Sequence, residues 1–144
     1  NMHVCKVEGA TGYIDTNFEG KMQAAFDELK NGQDYVYIHV EAPDECGHRG
    51  EIQNKVRAIE EIDNKILAPL LEKLKGLDDF TILIMPDHPT PLSTMTHASD
   101  PVPYLLYRSN KPVKSAGIFS EKGAKDSGIY VEKACTLIEK MKEN

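Results

Sequence analysis

Short apolar runs alternate with amphipathic stretches along this chain, and the alternation predicts strands followed by helices. Val4 to Val7 reads as a short strand, and Gly9-Ala10-Thr11-Gly12 reads as the turn after it. Phe18, Met22, Ala25, Phe26 and Leu29 recur at three- and four-residue intervals, which places them on one helical face. Asp15, Thr16 or Asn17 can cap that helix, because each offers a side-chain oxygen to an unpaired backbone N–H. Asn31-Gly32 suits its end. Tyr35 to Val40 is β-branched and aromatic and predicts a strand, and Pro43 to Gly50 predicts a loop. The longest amphipathic pattern follows, with Ile52, Val56, Ile59, Ile62, Ile66, Leu70, Leu71 and Leu74 on one stripe. Pro69 lacks an N–H and predicts a kink or break near Ala68. Phe80 to Met85 and Val102 to Tyr107 read as strands, separated by a long proline-rich loop. Ile129 to Met141 reads as a last helix with Tyr130, Ala134, Leu137, Ile138 and Met141 inward.

Strands alternating with helices predict an α/β layer structure with a largely parallel sheet flanked by helices. In such sheets ligands sit beyond the carboxyl ends of the strands. That rule puts the Asp44–His48 loop and the Asp87–His97 loop on one edge, since each directly follows a predicted strand.

At 144 residues the chain is expected to form one unit over 1–144. Asn1 ahead of Met2 reads as an added residue. A formal net charge of -6 argues against a broad surface for nucleic-acid phosphates, which would be basic. No apolar run approaches the ~20 residues that span a bilayer, so no membrane partner is expected. The three cysteines, Cys5, Cys46 and Cys135, have neither the spacing nor the even count of a disulfide scaffold. With no signal-peptide pattern at the start, this usage points to a reducing cytoplasm.

Three of the five histidines, His48, His88 and His97, lie in the two loops, with Asp44 and Asp87 beside them. Asp44 and His48 are four apart, about one helical turn or a tight loop, so they can face one point. Asp87 and His88 are adjacent just past a strand end, where a bend can bring them together. Carboxylate oxygen with imidazole nitrogen suits a borderline divalent ion such as Mn²⁺ or Zn²⁺. The absence of thiolate ligands favours a catalytic over a structural site. Against this, a single loop histidine is ordinarily a solvated or hydrogen-bonded side chain, and only the repetition of the pattern after two strands raises it further. Cys46 reads as a small loop residue, and Glu45 as an acceptor behind the ligands or an exposed charge. His39 reads as a hydrogen-bonded core histidine or a group behind the ligands. Lys6, Lys21 and Lys55 are solvated charges by default, although Lys6, just before the Gly-rich turn, can reach an anion. That turn lacks the Walker pattern, and no Gly-x-Ser-x-Gly elbow is present.

Four stretches then occur in a specific order: Gly9-Ala10-Thr11-Gly12-Tyr13-Ile14-Asp15-Thr16-Asn17, Glu41-Ala42-Pro43-Asp44-Glu45-Cys46-Gly47-His48-Arg49-Gly50, Pro86-Asp87-His88-Pro89-Thr90-Pro91 and His97-Ala98-Ser99-Asp100-Pro101-Val102-Pro103. Over nearly the whole chain this pattern resembles the C-terminal part of the cofactor-independent phosphoglycerate mutases. The closer match is to their archaeal-type branch, some bacterial members of which are labelled homoserine kinases. The resemblance implies an alkaline phosphatase-like fold, here a partial domain. It also implies two divalent metal ions, Mn²⁺ foremost with Zn²⁺ or Mg²⁺ as alternatives.

By that resemblance Asp44, His48 and His97 hold one ion, and Asp87 and His88 hold the other. The family's second ion also takes an aspartate and a transiently phosphorylated serine from an N-terminal segment. Neither has a counterpart here, because Ser93, Ser99, Ser109, Ser115, Ser120 and Ser127 all stand in other contexts. The implied activity of the intact enzyme is interconversion of 3-phosphoglycerate and 2-phosphoglycerate through a phosphoserine. The implied partner is a small phosphorylated substrate, with Lys6 as a phosphate contact and this chain alone inactive. Two other readings stand beside it: a phosphotransferase or phosphatase on another small alcohol, homoserine included, and a noncatalytic metal-binding fragment that self-associates through surface left by a missing half.

Overall fold

The computed structural model describes residues 2–114 and 117–142, which fall into two compact units. Asn1 and Ser115, on which two expectations fell, lie outside the described residues. Unit 1 comprises Asn1–Asp78 and Thr90–His97; unit 2 comprises Asp79–Pro89 and Ala98–Asn144.

Unit 1 is helical. Helix α1 spans Phe18–Lys30, and of its three foreseen caps Asn17 is the one used, accepting from the Gly20 amide at 2.8 Å. Phe18, Met22 and Ala25 are buried on the predicted face. Gly32, at φ 94°, ends the helix in the left-handed region that glycine occupies without strain.

Helix α2 spans Ala42–His48, where a loop was expected. Pro43 sits in its first turn, where no N–H is needed, and Asp44 and Glu45 suit the positive end of the peptide dipoles. Ala42 and Cys46 are fully buried, and α2 packs on helix α3, Ile52–Ile62.

The long amphipathic pattern folds as one nearly continuous helical run, interrupted by a π turn at Asp63–Leu67 before helix α4, Ala68–Leu74. The Ala68 amide donates to the Asp63 carbonyl five residues back, the wider π spacing. The loosened turn accommodates Pro69, which would otherwise crowd a carbonyl four residues earlier. It also corrects the single-stripe reading. A π turn carries roughly one extra residue, worth about 100° of helical rotation. Ile66, Leu70 and Leu74 are buried against α1, whereas Ile52, Val56 and Ile59 are more than half exposed.

The largely parallel sheet is not what the described residues form. Strands β1, Thr81–Ile84, and β2, Leu105–Arg108, both in unit 2, pair antiparallel with Ile82 opposite Tyr107. Val4 to Val7 and Tyr35 to Val40 keep the two-residue alternation of strands. Val36, Ile38 and Val40 are half-buried, while Tyr35, Tyr37 and His39 are exposed. A strand also needs a neighbouring strand to pair with, and among the described residues neither segment is paired in a sheet.

In unit 2, Ser109 locks the β hairpin's base, its hydroxyl accepting from the Phe80 amide at 2.8 Å. A short helix α5, Glu121–Asp126, is capped by the Ser120 hydroxyl on the Gly123 amide at 3.1 Å and was not foreseen. The expected last helix shrinks to a 3₁₀ turn at Ala134–Thr136 and helix α6, Leu137–Lys142. Only Leu137 of its predicted inward set is deeply buried, and Tyr130 is exposed. The Arg108 guanidinium donates to the Lys140 carbonyl, tying β2 to α6.

Two outcomes test this packing. Leu70→Ala removes a buried side chain from the α1–α4 contact and is expected to cost about 2–5 kcal/mol in urea unfolding. Lys65, in the π turn, donates to Glu61 at 2.9 Å and holds that carboxyl below its ordinary pKa. A depressed carboxyl stabilises the fold above its unfolded pKa, and the effect fades as pH falls through the folded value. Glu61→Gln should therefore flatten the acid side of the stability–pH curve and leave its slope above neutral pH unchanged.

Candidate metal centre

Helix geometry does the first part of the assembly. Residues four apart on α2 share a face, so Asp44 and His48 meet there, with Asp44 Oδ2 at 3.4 Å from His48 Nε2. A loop would have had to be frozen to do the same.

The second part is an eight-residue strap, Thr90–His97, that belongs to the same unit. Its centre is a turn in which the Thr94 and Met95 amides both donate to the Pro91 carbonyl, at 3.1 and 2.8 Å. His97 at its end brings Nε2 to 3.0 Å from His48 Nε2 and 3.5 Å from Asp44 Oδ1.

Three side chains thus converge through four donor atoms, the two imidazole Nε2 atoms and both Asp44 oxygens, at contacts of 3.0 to 3.5 Å. Ligands ~2.1 Å from a common ion stand ~3.0–3.4 Å apart at octahedral or tetrahedral angles. The donor set and its spacing fit a divalent ion. Protonation fits as well. His48 Nδ1 lies 3.0 Å from the Met95 carbonyl, which can only accept, so Nδ1 carries the proton. In the neutral ring that leaves Nε2 with a lone pair, aimed at the point it shares with His97 and Asp44.

Three features hold the strap on α2. The Thr90 hydroxyl donates to Asp44 Oδ1, and Thr90 itself is buried. The Lys55 ammonium, on α3, donates to the Thr90 carbonyl at 2.9 Å. Gly47 allows the close approach: a Cβ there would stand 2.7 Å from Lys55 Nζ and 2.8 Å from the Thr90 carbonyl oxygen.

Thr90 and Met95 escaped sequence reasoning, and Lys55 was read as a solvated charge. The position of Thr90 inside Asp87-His88-Pro89-Thr90-Pro91 was the one available signal. Met95 works through its backbone, at φ 52°, and a backbone carbonyl leaves no trace in residue type.

The other expected residues fall as follows. Asp87 and His88 lie in unit 2 beyond β1, and the Asp87 carboxylate accepts from the His88 amide and pairs with His88 Nδ1, both at 3.0 Å. Lys6 is exposed ahead of the Gly9 turn, and no hydrogen bond or ion pair joins it to another described residue. His39 is not a core histidine: its side chain is half exposed, 3.4 Å from Glu41. Cys46 is core, and burial, with Glu51 adding, pushes its thiol up and away from the reactive thiolate. Glu45 pairs with Arg49, whose guanidinium also bonds Glu51 at 2.6 Å and lies over the Tyr13 ring.

The family model described as metalloenzyme superfamily matches residues 1–134. The 2,3-bisphosphoglycerate-independent phosphoglycerate mutase of Methanosarcina barkeri is 52% identical over 139 residues, covering 95% of this chain and 35% of its own length. The enzyme of the same name from Methanosarcina mazei is 48% identical, again over 95% of this chain and 35% of its length. This chain therefore spans about a third of the length of the curated relatives it matches. Among solved structures, the PH0037 protein from Pyrococcus horikoshii superposes with a TM-score of 0.74 at 31% identity, over 86% of this chain and 37% of that one.

Gly47→Ala tests the close approach. The new Cβ meets backbone as well as the Lys55 ammonium, so the strap must move. A loss of about 1–3 kcal/mol is expected in urea unfolding, with amide shifts in NMR spectra concentrated at residues 90–97.

Proposed function

This chain belongs to the metalloenzyme superfamily, and from that membership we propose that it is the metal-holding part of a phosphoglycerate mutase. The convergence of Asp44, His48 and His97 at mutual spacings of 3.0 to 3.5 Å carries the reading. These three side chains hold one divalent ion, and Asp87 and His88 hold a second. Mn²⁺ is the ion of choice for an oxygen and nitrogen donor set, with Zn²⁺ and Mg²⁺ as alternatives. When bound, such ions polarise phosphoryl oxygens and lower the pKa of a nucleophilic hydroxyl.

The chain's own residues do the rest. Asp44 offsets the ion's charge and spans both imidazoles with its two oxygens. His48 and His97 offer neutral nitrogens, which leave the site a net positive charge to meet a phosphorylated substrate. The exposed ammonium of Lys6 contacts the substrate phosphate. In the whole protein, a serine outside this chain takes the phosphoryl group and returns it to the other hydroxyl, which interconverts 3-phosphoglycerate and 2-phosphoglycerate. The segments Val4 to Val7 and Tyr35 to Val40 join a largely parallel alkaline phosphatase-like sheet there. Residues 1–144 act as one part of that domain, in the cytoplasm.

Two measurements check this. Mn²⁺ titrated calorimetrically into the 144-residue chain should bind, and Asp44→Asn and His48→Ala should abolish the heat from that site. The chain alone should show no mutase turnover on 3-phosphoglycerate, because it lacks the nucleophile. Robust turnover without any added protein would overturn the assignment of the missing serine.

A further inference from the structure

We propose that the Thr90–His97 strap is a preorganising clamp, in which Thr90 and the Met95 backbone are positioning residues for Asp44 and His48. The inference rests on the metal-holding reading above and extends it to residues that touch no ion themselves.

Two ligands come from α2, and the strap holds both. The Thr90 hydroxyl donates to Asp44 Oδ1, which limits rotation of the carboxylate about its last torsion. Oδ2 then faces His48 Nε2, while Oδ1 faces His97 Nε2. Thr90 is itself anchored, since Lys55 bonds its carbonyl and its side chain is buried. The Met95 carbonyl accepts from His48 Nδ1 and fixes both the tautomer and the tilt of that ring. It can do so because Met95 takes a left-handed backbone, φ 52°, where an unbranched residue is strained and a β-branched one more so. Strain of this kind persists only where surrounding structure over-determines it. Here the turn onto the Pro91 carbonyl supplies that support.

The clamp joins ligands that are four and forty-nine positions apart in sequence, so ligand spacing alone does not set the site. Free rotation of Asp44 or the other tautomer of His48 would each take one donor out of the shared point.

The experiment measures Mn²⁺ affinity of the 144-residue chain by calorimetry, with circular dichroism as the check on folding. Thr90→Val should weaken binding about 10–100-fold, the range for removing a group behind a ligand. Thr90→Ser keeps the hydroxyl and should stay within about 3-fold of the parent chain. Met95→Gly keeps the left-handed backbone and should also hold its affinity, whereas Met95→Val should weaken it. Nitrogen-15 spectra of the metal-free chain supply a second readout that does not depend on Thr90→Val folding. The neutral His48 ring should carry its proton on Nδ1 in the parent chain and in Met95→Gly, and lose that preference in Met95→Val. Parent-like affinity in both Thr90→Val and Met95→Val, or an Nε2-protonated His48 in the parent chain, would overturn the clamp while leaving the metal reading standing. Parent-like affinity in Asp44→Asn would overturn both.

Discussion

The hydrogen bond from the Thr90 hydroxyl to the Asp44 carboxylate, seconded by that from His48 Nδ1 to the Met95 carbonyl, joins the two pieces of chain that make the candidate metal centre. On one side of it lies a seven-residue helix, and on the other a strap with no regular structure. The groups around it hold the two pieces together. Gly47 removes the Cβ that would hold the strap off, and Lys55 reaches across from α3 to pin the Thr90 backbone. A charged acceptor strengthens such a bond, and its donor, Thr90, is buried.

The centre follows from that join. A helix delivers two donors on one face with no loop entropy to overcome, and the strap adds the third. Asp44, His48 and His97 stand within contact distance of one another, their two Nε2 atoms 3.0 Å apart. The result is a cluster suited to cations in a chain whose formal charge is already -6.

How much of this could be read from residue order differs by element. Helix α1 was legible to within three candidate caps, of which Asn17 is the one used, because capping and a 3.6-residue stripe are local properties. The ligand candidates Asp44, His48 and His97 were legible as residue types in repeated positions. Helix α2 was not, since Pro43 and Gly47 resemble loop residues until their neighbours are known. Pro43 is harmless in a first turn, and Gly47 is required by a strap from more than forty residues away. The strands mislead for a related reason. Alternation at Tyr35 to Val40 specifies two faces but not a partner, and pairing is a property of two segments. Antiparallel β1 and β2 likewise depend on which edges meet, which strand–helix alternation does not encode.

The π turn at Asp63–Leu67 acts on the chain as a gear acts on a shaft. Upstream of it, Ile52, Val56 and Ile59 point into water; downstream, Ile66, Leu70 and Leu74 point into the α1 contact. A straight α-helix would carry one apolar face from end to end and commit it to a single neighbour. By advancing the phase once, the same unbroken run of backbone presents two apolar faces in two directions. Wound as plain α-helix, the same residues would bring both stripes into line, so the width of one turn, more than the composition of the segment, decides which way its first half looks.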